Sequence, residues 1–326
     1  MPQYVPDRRA STPPEPSASP VRRRATCRSA WRARRLKRAT AAVIAALAPA
    51  LALAGCGQVR VTTVSGAPEG PTIAIGVAAD EPAIGAWHDG AYEGFDVTVA
   101  KYVAAKLGYA NKQIVFKQVR PENRASMLDN GQVDMVVASW PVTDESRQQA
   151  DFAGPYLETG VGLLVRANER ATFGTAGGDA GDGIGDDLAD RTICTVKGDE
   201  TAAIFRSSHP KAALQERDSY AQCVTALQVG SADAIASDMA VLSGLRSANG
   251  PQYMAVLEDR GTVRYGIAVG KGTPQLAQKI AEALEDMVED GSMAAAQDTL
   301  RERTGLEATL VGDPEAIVSD ADSEAD

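Results

Sequence analysis

Strand-like and helix-like segments alternate along most of this 326-residue sequence, and the alternation predicts an α/β fold. Short β-branched runs such as 72–77 predict strands, and apolar residues at helical spacing, as in 95–107, predict helices between them. A Gly/Asp-rich stretch at 175–187 interrupts the alternation once. The sequence therefore predicts two α/β units in series, each on a mostly parallel sheet, with a mobile surface insertion between them.

The first unit contains four predicted strands and three predicted helices. Apolar residues recur at helical spacing from Phe95 to Leu107, and Gly108 ends that helix. Thr143 has the side chain of a helix N-cap. The predicted strands span 72–77, 114–116, 133–138 and 162–165, and the predicted helices span 95–107, 124–129 and 143–150.

The second unit repeats the alternation and is followed by a further strand and two helices. Its predicted strands span 191–196 and 234–236, with the further strand at 265–269, and the predicted helices span 201–207, 220–229, 239–247, 274–289 and 293–304. Residues 308–326 are acidic and lack periodicity, so we expect a disordered tail. In a sheet of this class, ligands bind beyond the carboxyl ends of the strands.

The first 55 residues have the order of an export signal. An Arg-rich segment precedes an uncharged apolar stretch at 39–55, which closes with small residues directly before Cys56. The run Leu53-Ala54-Gly55-Cys56 resembles the bacterial lipobox, which implies that 1–55 are a signal peptide and that Cys56 is lipidated. Residues 56–70 are then the lipidated cysteine and a tether. The alternatives are an uncleaved membrane anchor and a chance match.

Charge separates this leader from the rest of the chain. Residues 1–55 hold eleven Lys or Arg and two acidic residues, so the remainder carries 22 basic and 41 acidic residues and a formal net charge near −19. A domain this acidic is repelled by nucleic acid and by anionic lipid surfaces. The leading arginines are therefore interpreted as a targeting device, and no nucleic-acid partner is expected.

The four cysteines divide in the same way. Cys27 leaves with the signal and Cys56 carries lipid, which leaves Cys194 and Cys223 as an even pair in an exported domain. An oxidising compartment favours a disulfide between them. A metal site is the competing interpretation. It has little support because the chain has only two histidines, His88 and His209, and neither lies at ligand spacing from the cysteines.

An ordered series of short motifs resembles the family 3 extracellular solute-binding proteins, the amino-acid receptors of ABC importers. The series covers roughly residues 71–307, and no single motif in it is decisive. The Cys194 and Cys223 pair is similar to that of actinobacterial glutamate-type lipoproteins of this family. The motifs are Tyr92-Glu93-Gly94-Phe95-Asp96-Val97, Pro121-Glu122-Asn123-Arg124, Gly131-Gln132-Val133-Asp134-Met135, Asp151-Phe152-Ala153-Gly154-Pro155-Tyr156, Gly162-Leu163-Leu164-Val165, Ala234-Ile235-Ala236-Ser237-Asp238 and Tyr265-Gly266-Ile267-Ala268-Val269.

The resemblance implies a periplasmic-binding-protein-like fold of type II, in which two α/β lobes are joined by two crossover strands. Lobe 1 would take residues 71–163 and 269–307, and lobe 2 would take residues 164–268. The ligand would lie between the lobes, which close on it by a hinge motion.

The family's ligand-binding residues carry over to this sequence only in part. Asp238 matches the acid that holds the ligand's α-ammonium, and its alternative role is to cap the helix that begins at Met239. Arg124 matches the arginine that acidic-amino-acid binders direct at the ligand's side-chain carboxylate, and its alternative role is a solvated helix charge.

The clamp for the ligand's α-carboxylate departs from the family pattern. Pro141, two residues after Ser139, takes the place of a Ser or Thr. The family's clamp arginine falls at Ser146 here, and Arg147 comes one residue late, a turn of about 100° on a helix. In lobe 2 the acids Asp199 and Glu200 follow Gly198, where the family has Thr.

Two interpretations of the ligand therefore stay open. Either Arg147 is re-aimed and an ordinary amino acid binds, or the ligand lacks a free α-carboxylate and is cationic. In the second case Asp80, Glu81, Asp199, Glu200 and Asp238 form an acidic pocket, and Trp140 is either an aromatic wall for an ammonium group or a core residue. The candidate ligand-binding residues are Asp80, Arg124, Ser139, Trp140, Arg147, Asp199, Glu200, Thr201 and Asp238.

The function expected from the resemblance is a lipid-anchored substrate-binding protein on the extracellular face of the cell membrane. It would act as a monomer, without cofactor, metal or catalysis, and pass an amino acid or related amine to an ABC permease. A ligand sensor for a membrane signalling partner is the main alternative. An exported dehydratase-like enzyme is less favoured, because His88 and His209 do not lie where a general acid or base is expected.

Overall fold

Two 16-residue strands run side by side through the centre of the fold. A computed structural model describes residues 66–174, 184–185, 188–306 and 314–317. In it, Asp151–Arg166 pairs antiparallel with Met254–Val269 along nearly their whole lengths. The pairing register shifts between Glu258 and Thr262, where the ladder is interrupted. Each strand therefore leads the chain from one half of the molecule to the other.

The strands in chain order are β1 (Ile73–Val77), β2 (Asp80–Glu81), β3 (Gly85–His88), β4 (Ala91–Glu93), β5 (Ile114–Gln118), β6 (Met135–Val136), β7 (Asp151–Arg166), β8 (Thr192–Val196), β9 (Ala213–Arg217), β10 (Ala234–Asp238), β11 (Met254–Val269) and β12 (Glu315–Ile317). The α-helices are α1 (Phe95–Lys106), α2 (Arg124–Asp129), α3 (Asp144–Gln149), α4 (Arg170–Phe173), α5 (Thr201–Ser208), α6 (Tyr220–Val229), α7 (Met239–Ala248), α8 (Pro274–Glu289) and α9 (Ser292–Thr304).

The main sheet has the strand order β5-β1-β6-β11-β7-β10-β8-β9, and β12 pairs with β7. Strands β5, β1 and β6 are parallel to one another and belong to lobe 1, and β10, β8 and β9 are parallel to one another and belong to lobe 2. The long strands pair antiparallel with each other and with β6 and β10. The predicted arrangement of two α/β lobes joined by two crossover strands is confirmed. The sheet as a whole is mixed, and the predicted parallel pairing holds within each lobe.

The start of α1 depends on the backbone of Gly94. Its φ of 123° lies in a region that residues with a side chain rarely adopt, and a Cβ there would collide with the carbonyl oxygen of Ile84. This close approach fixes α1 against the small antiparallel sheet of β2, β3 and β4, whose first strand begins three residues after β1. The sheet places the acids at its start, Asp80 and Glu81, beside lobe 1's parallel strands.

Lobe 2 is cross-linked by a disulfide between Cys194 in β8 and Cys223 in α6, with a sequence separation of 29. Both side chains are fully buried in a cluster of hydrophobic residues from β8, α6, β10 and α7. The pairing expected from the sequence is therefore present, and the competing metal interpretation does not apply to these cysteines.

The strands nearest the lobe junction differ most from the sequence predictions. The predictions at 162–165 and 265–269 cover only the ends of β7 and β11, and the strand predicted at 133–138 is reduced to Met135–Val136. Lobe 2 pairing on β7 begins at Val161, where β10 joins it. The boundaries predicted after residues 163 and 268 thus fall inside the two crossover strands and stay a prediction.

The predicted disordered tail is wrong for residues 315–317. These residues form β12, which pairs antiparallel with Phe152–Gly154 of β7. In this stretch β11 covers one edge of β7 and β10 pairs only with residues 161–165, so the other edge offers free backbone groups to a strand.

Several predicted segments lie outside the described residues. They are the signal peptide, Cys56, most of the tether, most of the insertion at 175–187 and the rest of the tail. Among the helices that the structure describes, none has the length and apolar character needed to cross a bilayer.

Candidate ligand-binding site

Polar side chains of both lobes meet where the parallel strands end. Asp80 follows β1 and Ser139 follows β6 in lobe 1, while Asp199 follows β8 and Asp238 ends β10 in lobe 2. The carboxyl ends of these strands face the junction between the lobes, which is where a ligand site is expected in sheets of this class. The cleft is defined here by these residues and the side chains in contact with them.

Asp238 has two structural roles, and both use the same one of its two carboxylate oxygens. Its Oδ1 accepts hydrogen bonds from the backbone N–H groups of Ala240 (2.9 Å) and Val241 (3.0 Å), which caps α7, and from the Tyr265 hydroxyl (2.5 Å). Its Oδ2 accepts none from the described residues. Burial raises the pKa of Asp238 to about 7, against the opposing effect of these hydrogen bonds. The helix cap expected as its alternative role is present, and it is compatible with a ligand contact at Oδ2.

Glu81 and Asp96 form a buried acidic pair, joined through Ser139. The Ser139 hydroxyl donates to Glu81 Oε2 at 2.7 Å, and the Ser139 backbone N–H donates to Asp96 Oδ2 at 2.7 Å. Tyr156 donates its hydroxyl to Asp96 Oδ1 at 3.0 Å. Burial raises the pKa of Asp96 to about 7, and burial together with Asp80 raises that of Glu81 well above its usual range. Glu81 Oε1 accepts no hydrogen bond within the described part of the chain.

Asp199 is held entirely by lobe 2. The backbone N–H and hydroxyl of Thr201 donate to its Oδ1 (2.9 and 2.6 Å), and the hydroxyls of Tyr220 and Ser237 donate to its Oδ2 (2.8 and 3.1 Å). Both carboxylate oxygens are therefore used. Thr201, another candidate ligand residue, is buried and spends its hydroxyl on this carboxylate.

Asp80 reaches across the junction. Its Oδ2 accepts the backbone N–H of Tyr220, the first residue of α6 in lobe 2, at 2.8 Å. Burial raises the pKa of Asp80, although Tyr220 and the positive charge of Arg120 oppose the rise. Asp80 thus serves as a contact between the lobes as well as a member of the acidic group.

Arg124 and Trp140 of lobe 1 both contact Glu200 of lobe 2. The side chain of Arg124 is 2 % exposed, and its guanidinium forms an ion pair with Glu200 Oε2. It lies 4.3 Å above the Trp140 ring and donates to the carbonyl of Ala138 at 3.4 Å. Trp140 donates its indole N–H to Glu200 Oε1 at 2.9 Å. Both oxygens of Glu200 therefore bind lobe 1.

Of the two roles that the sequence left open for Trp140, the structure shows that of a core residue. Its side chain is fully buried and packs edge-on against Phe152, with ring centroids 5.3 Å apart, as a core residue does. Its face also carries a cation, but that cation is Arg124 of the protein itself.

The structure does not bring Arg147 together with the other candidates. Its side chain is 45 % exposed, 4.0 Å from Asp144, and lines a surface cavity with Arg264 and Glu315. Ser146, at the family's arginine position, is buried and exchanges hydrogen bonds with Thr143 in a capping box. Because this box fixes the register of α3, Arg147 points away from the cleft.

Five carboxyl groups, those of Asp80, Glu81, Asp96, Asp199 and Asp238, line the cleft. Burial raises the pKa values of Asp80, Glu81, Asp96 and Asp238. Within the described residues, no Lys or Arg forms an ion pair with any of them. Hydroxyls and backbone N–H groups supply the hydrogen bonds instead. A positive group placed among them would favour their ionised forms and offset the cost of their burial. The arrangement is suited to binding an ammonium or guanidinium group.

Sequence reasoning did not single out Asp96, Tyr156, Tyr220 or Tyr265. Three of the four lie inside motifs that carry the family resemblance, so their positions were marked but their roles were not. All three tyrosine hydroxyls donate to cleft carboxylates, and burial raises their own pKa values well above the usual range. Their apolar rings resemble ordinary core residues in a sequence, which hides the polar role.

Comparisons with known proteins agree with this fold and show the family. The family model for bacterial extracellular solute-binding proteins, family 3, matches residues 73–300. The ABC transporter glutamine-binding protein GlnH of Bacillus subtilis is 30% identical over 268 residues, covering 78% of this chain and 94% of the relative. The glutamate-binding protein GluB of Corynebacterium efficiens is 29% identical over 289 residues, covering 85% and 94%. A crystal structure of a solute receptor for L-cysteine of Neisseria gonorrhoeae superposes with a TM-score of 0.64 at 29% identity, covering 72% of this chain and 92% of that one.

Proposed function

The chain belongs to family 3 of the bacterial extracellular solute-binding proteins, and we propose that it captures an amino acid or a related small amine between its two lobes. The observation that carries this proposal is the meeting of charged side chains from both lobes at the junction spanned by β7 and β11. The named relatives bind glutamine, glutamate and cysteine. They support amino-acid chemistry as a class without selecting one member of it.

Asp238 is the residue we assign to the ligand's ammonium group. Its Oδ1 is held by Tyr265 and by two backbone N–H groups, so its orientation is fixed before a ligand arrives. Oδ2 accepts no hydrogen bond from the described residues and is the oxygen that would take the ammonium. A charge-assisted hydrogen bond to a carboxylate fixed in this way loses little entropy on binding.

Closure and release follow from the crossover strands in this proposal. A hinge needs only a few residues that change conformation, and the register shift between Glu258 and Thr262 already interrupts the β7–β11 ladder there. Contacts such as Asp80 with Tyr220 and Arg124 with Glu200 would break when the lobes open.

The cellular setting extends the proposal. We infer that the chain is exported, loses residues 1–55, and is anchored at Cys56 by lipid on the extracellular face of the membrane, where it acts as a monomer. It would deliver its ligand to an ABC permease, and it would not catalyse a reaction. Anchoring keeps such a receptor at high local concentration near its membrane partner.

A binding screen tests the core of this proposal. The full chain, extracted from membranes in mild detergent, is titrated with the twenty amino acids, short diamines and guanidinium compounds while thermal unfolding is recorded. A ligand at one hundred times its Kd stabilises the folded state by about 2.7 kcal/mol, which raises the Tm by roughly 5 to 10 °C for a domain of this size. No response to any of these compounds would overturn the proposal.

A further inference from the structure

Arg124, the lobe 1 residue that matches a carboxylate-binding arginine, already has a carboxylate partner within the chain. Its buried guanidinium forms an ion pair with Glu200, donates to the carbonyl of Ala138 and lies over the Trp140 ring. Both terminal nitrogens and one face of this guanidinium are therefore engaged, and its charge is neutralised by Glu200, while its buried Nε has no hydrogen-bond partner among the described residues.

Glu200 is placed for this contact by the backbone of lobe 2. It occupies the N-cap position of α5 but makes no capping hydrogen bond with its side chain, and Asp199 bonds to the Thr201 N–H instead. The Glu200 side chain is therefore free to extend across the junction. It reaches two donors of lobe 1, Arg124 and the Trp140 indole N–H.

The other groups that could receive a ligand carboxylate are turned away from the cleft. Arg147 lies at the surface, Ser146 is closed into its capping box with Thr143, and Pro141 has no backbone N–H to donate. Among the described residues, Arg124 is the one cation in contact with the cleft group. Within the described residues, the charge of Arg120 also acts on Asp80, but no cation other than Arg124 forms an ion pair with a carboxylate of this group.

The same cleft holds two nearly buried acidic residues, each with one carboxylate oxygen that no donor of the described residues reaches. Asp238 and Glu81 are 2 % and 3 % exposed, and Oδ2 of the first and Oε1 of the second accept no hydrogen bond from the described residues. Counted with Asp80, Asp96, Asp199 and Glu200, the group has six carboxylates, and within the described residues Glu200 alone among them forms an ion pair with a guanidinium. A ligand that brings a further carboxylate adds repulsion, and one that brings only positive charge relieves it.

We propose that Glu200 is a built-in carboxylate that neutralises Arg124, so that this receptor selects small amine or guanidinium cations and does not use a ligand carboxylate for recognition. The inference rests on the proposed function, because it names the ligand class of that same cleft. Glu200 is then a specificity-determining residue, and it stays on Arg124 while the cation binds Asp238 and Glu81.

Two pairs of probes test this by calorimetry on the full chain in detergent. L-Arginine is compared with agmatine, its analogue without the carboxylate, and L-lysine is compared with cadaverine. We expect the Kd of each amine to be no more than about three times the Kd of its amino acid. The Kd of L-glutamate should be at least a hundred times that of the amines. Tight binding of glutamate or glutamine with no response to the amines would overturn the inference and leave the proposed function standing. Failure of every compound in the wider screen would instead overturn the proposed function.

The variant Glu200→Gln isolates the residue. Gln has the same length but cannot neutralise Arg124, so the guanidinium becomes available and binding of L-arginine should strengthen relative to agmatine by at least tenfold. Glu122→Gln is the matched control, because Glu122 also pairs across the lobes, with Lys197 at 3.2 Å, but at a more exposed position. An unchanged ratio in Glu200→Gln, or an equal change in Glu122→Gln, would contradict the assignment. Thermal unfolding of both variants checks that they remain folded.

Discussion

Replacing Asp238 with Asn separates its structural role from its proposed ligand role. The three protein donors to this side chain, from Ala240, Val241 and Tyr265, all bind Oδ1. Asn keeps an oxygen at that position and exchanges only Oδ2 for an amide nitrogen. The cap of α7 and the tyrosine hydrogen bond should therefore persist, while the negative charge offered to a ligand is lost.

The expected loss of affinity follows from this single exchange. A hydrogen bond from a ligand ammonium to a carboxylate contributes about 1.5 to 3 kcal/mol, so the Kd should rise by roughly ten- to a hundredfold. Asp238→Ala also removes the helix cap, at about 1 kcal/mol, and leaves the buried Tyr265 hydroxyl without its acceptor, at about 1 to 3 kcal/mol. The Ala variant should therefore lose stability as well, by about 2 to 4 kcal/mol in total.

Calorimetric titration with the best ligand of the screen, together with urea unfolding, measures both quantities. Asp233→Asn is the control, because Asp233 lies just before the other end of β10, accepts the Thr192 N–H and pairs with Arg166 away from the cleft. Its affinity should equal that of the parent. If Asp238→Asn binds as tightly as the parent, or if Asp233→Asn loses as much affinity, Asp238 does not hold the ammonium group.

Three further predictions concern stability and location. Replacing both Cys194 and Cys223 with Ala opens a loop with a sequence separation of 29, so urea unfolding should show a loss of about 3.5 kcal/mol by chain entropy; a loss under about 1 kcal/mol would contradict this. Replacing Cys56 with Ser should move the protein from the membrane fraction to the soluble one, and retention in the membrane would refute the lipid anchor. Burial raises the pKa of both Asp96 and Asp238 to about 7, so the folded state binds protons more tightly than the unfolded state. The stability that these protons contribute is fully present below about pH 4, and it is lost as the pH rises to about 7. Unfolding measured across this range should show the decline, and Asp96→Asn should reduce it; a slope unaffected by the variant would contradict the assignment.

Local sequence signals located the helices with clear ends. The helices α2, α6 and α8 have the predicted bounds, because Pro274 begins α8, Gly230 ends α6 and Arg124–Asp129 is bordered by turn residues. The crossover strands were only partly predicted. Residues 154–162 of β7 contain three glycines, a proline and polar residues, although Leu157, Thr159 and Val161 on one face are buried. Such a stretch has neither the alternation nor the apolar run that predicts a strand.

Candidate residues in the cleft were found through the family resemblance. Asp238 matches a ligand-binding position of the family and Asp199 lies beside another, and both follow predicted strands, where the carboxyl-end rule also expects a site. Two features of the cleft depend on side-chain directions, which no spacing rule predicts. The first is the hydrogen bonding of tyrosine hydroxyls to these acids, and the second is the position of Arg147 outside the cleft, which follows from the Ser146 capping box.

The sequence by itself determined the α/β class, the family resemblance, the paired cysteines and the excess of acid, because each depends on residue type and order along the chain. The tertiary structure decided which charges meet. Arg124 and Glu200 are 76 residues apart and belong to different lobes, and they come together only because two long strands set the lobes face to face. Because of that contact, Arg124, which the family resemblance matches to a ligand's carboxylate, already has a carboxylate partner within the chain.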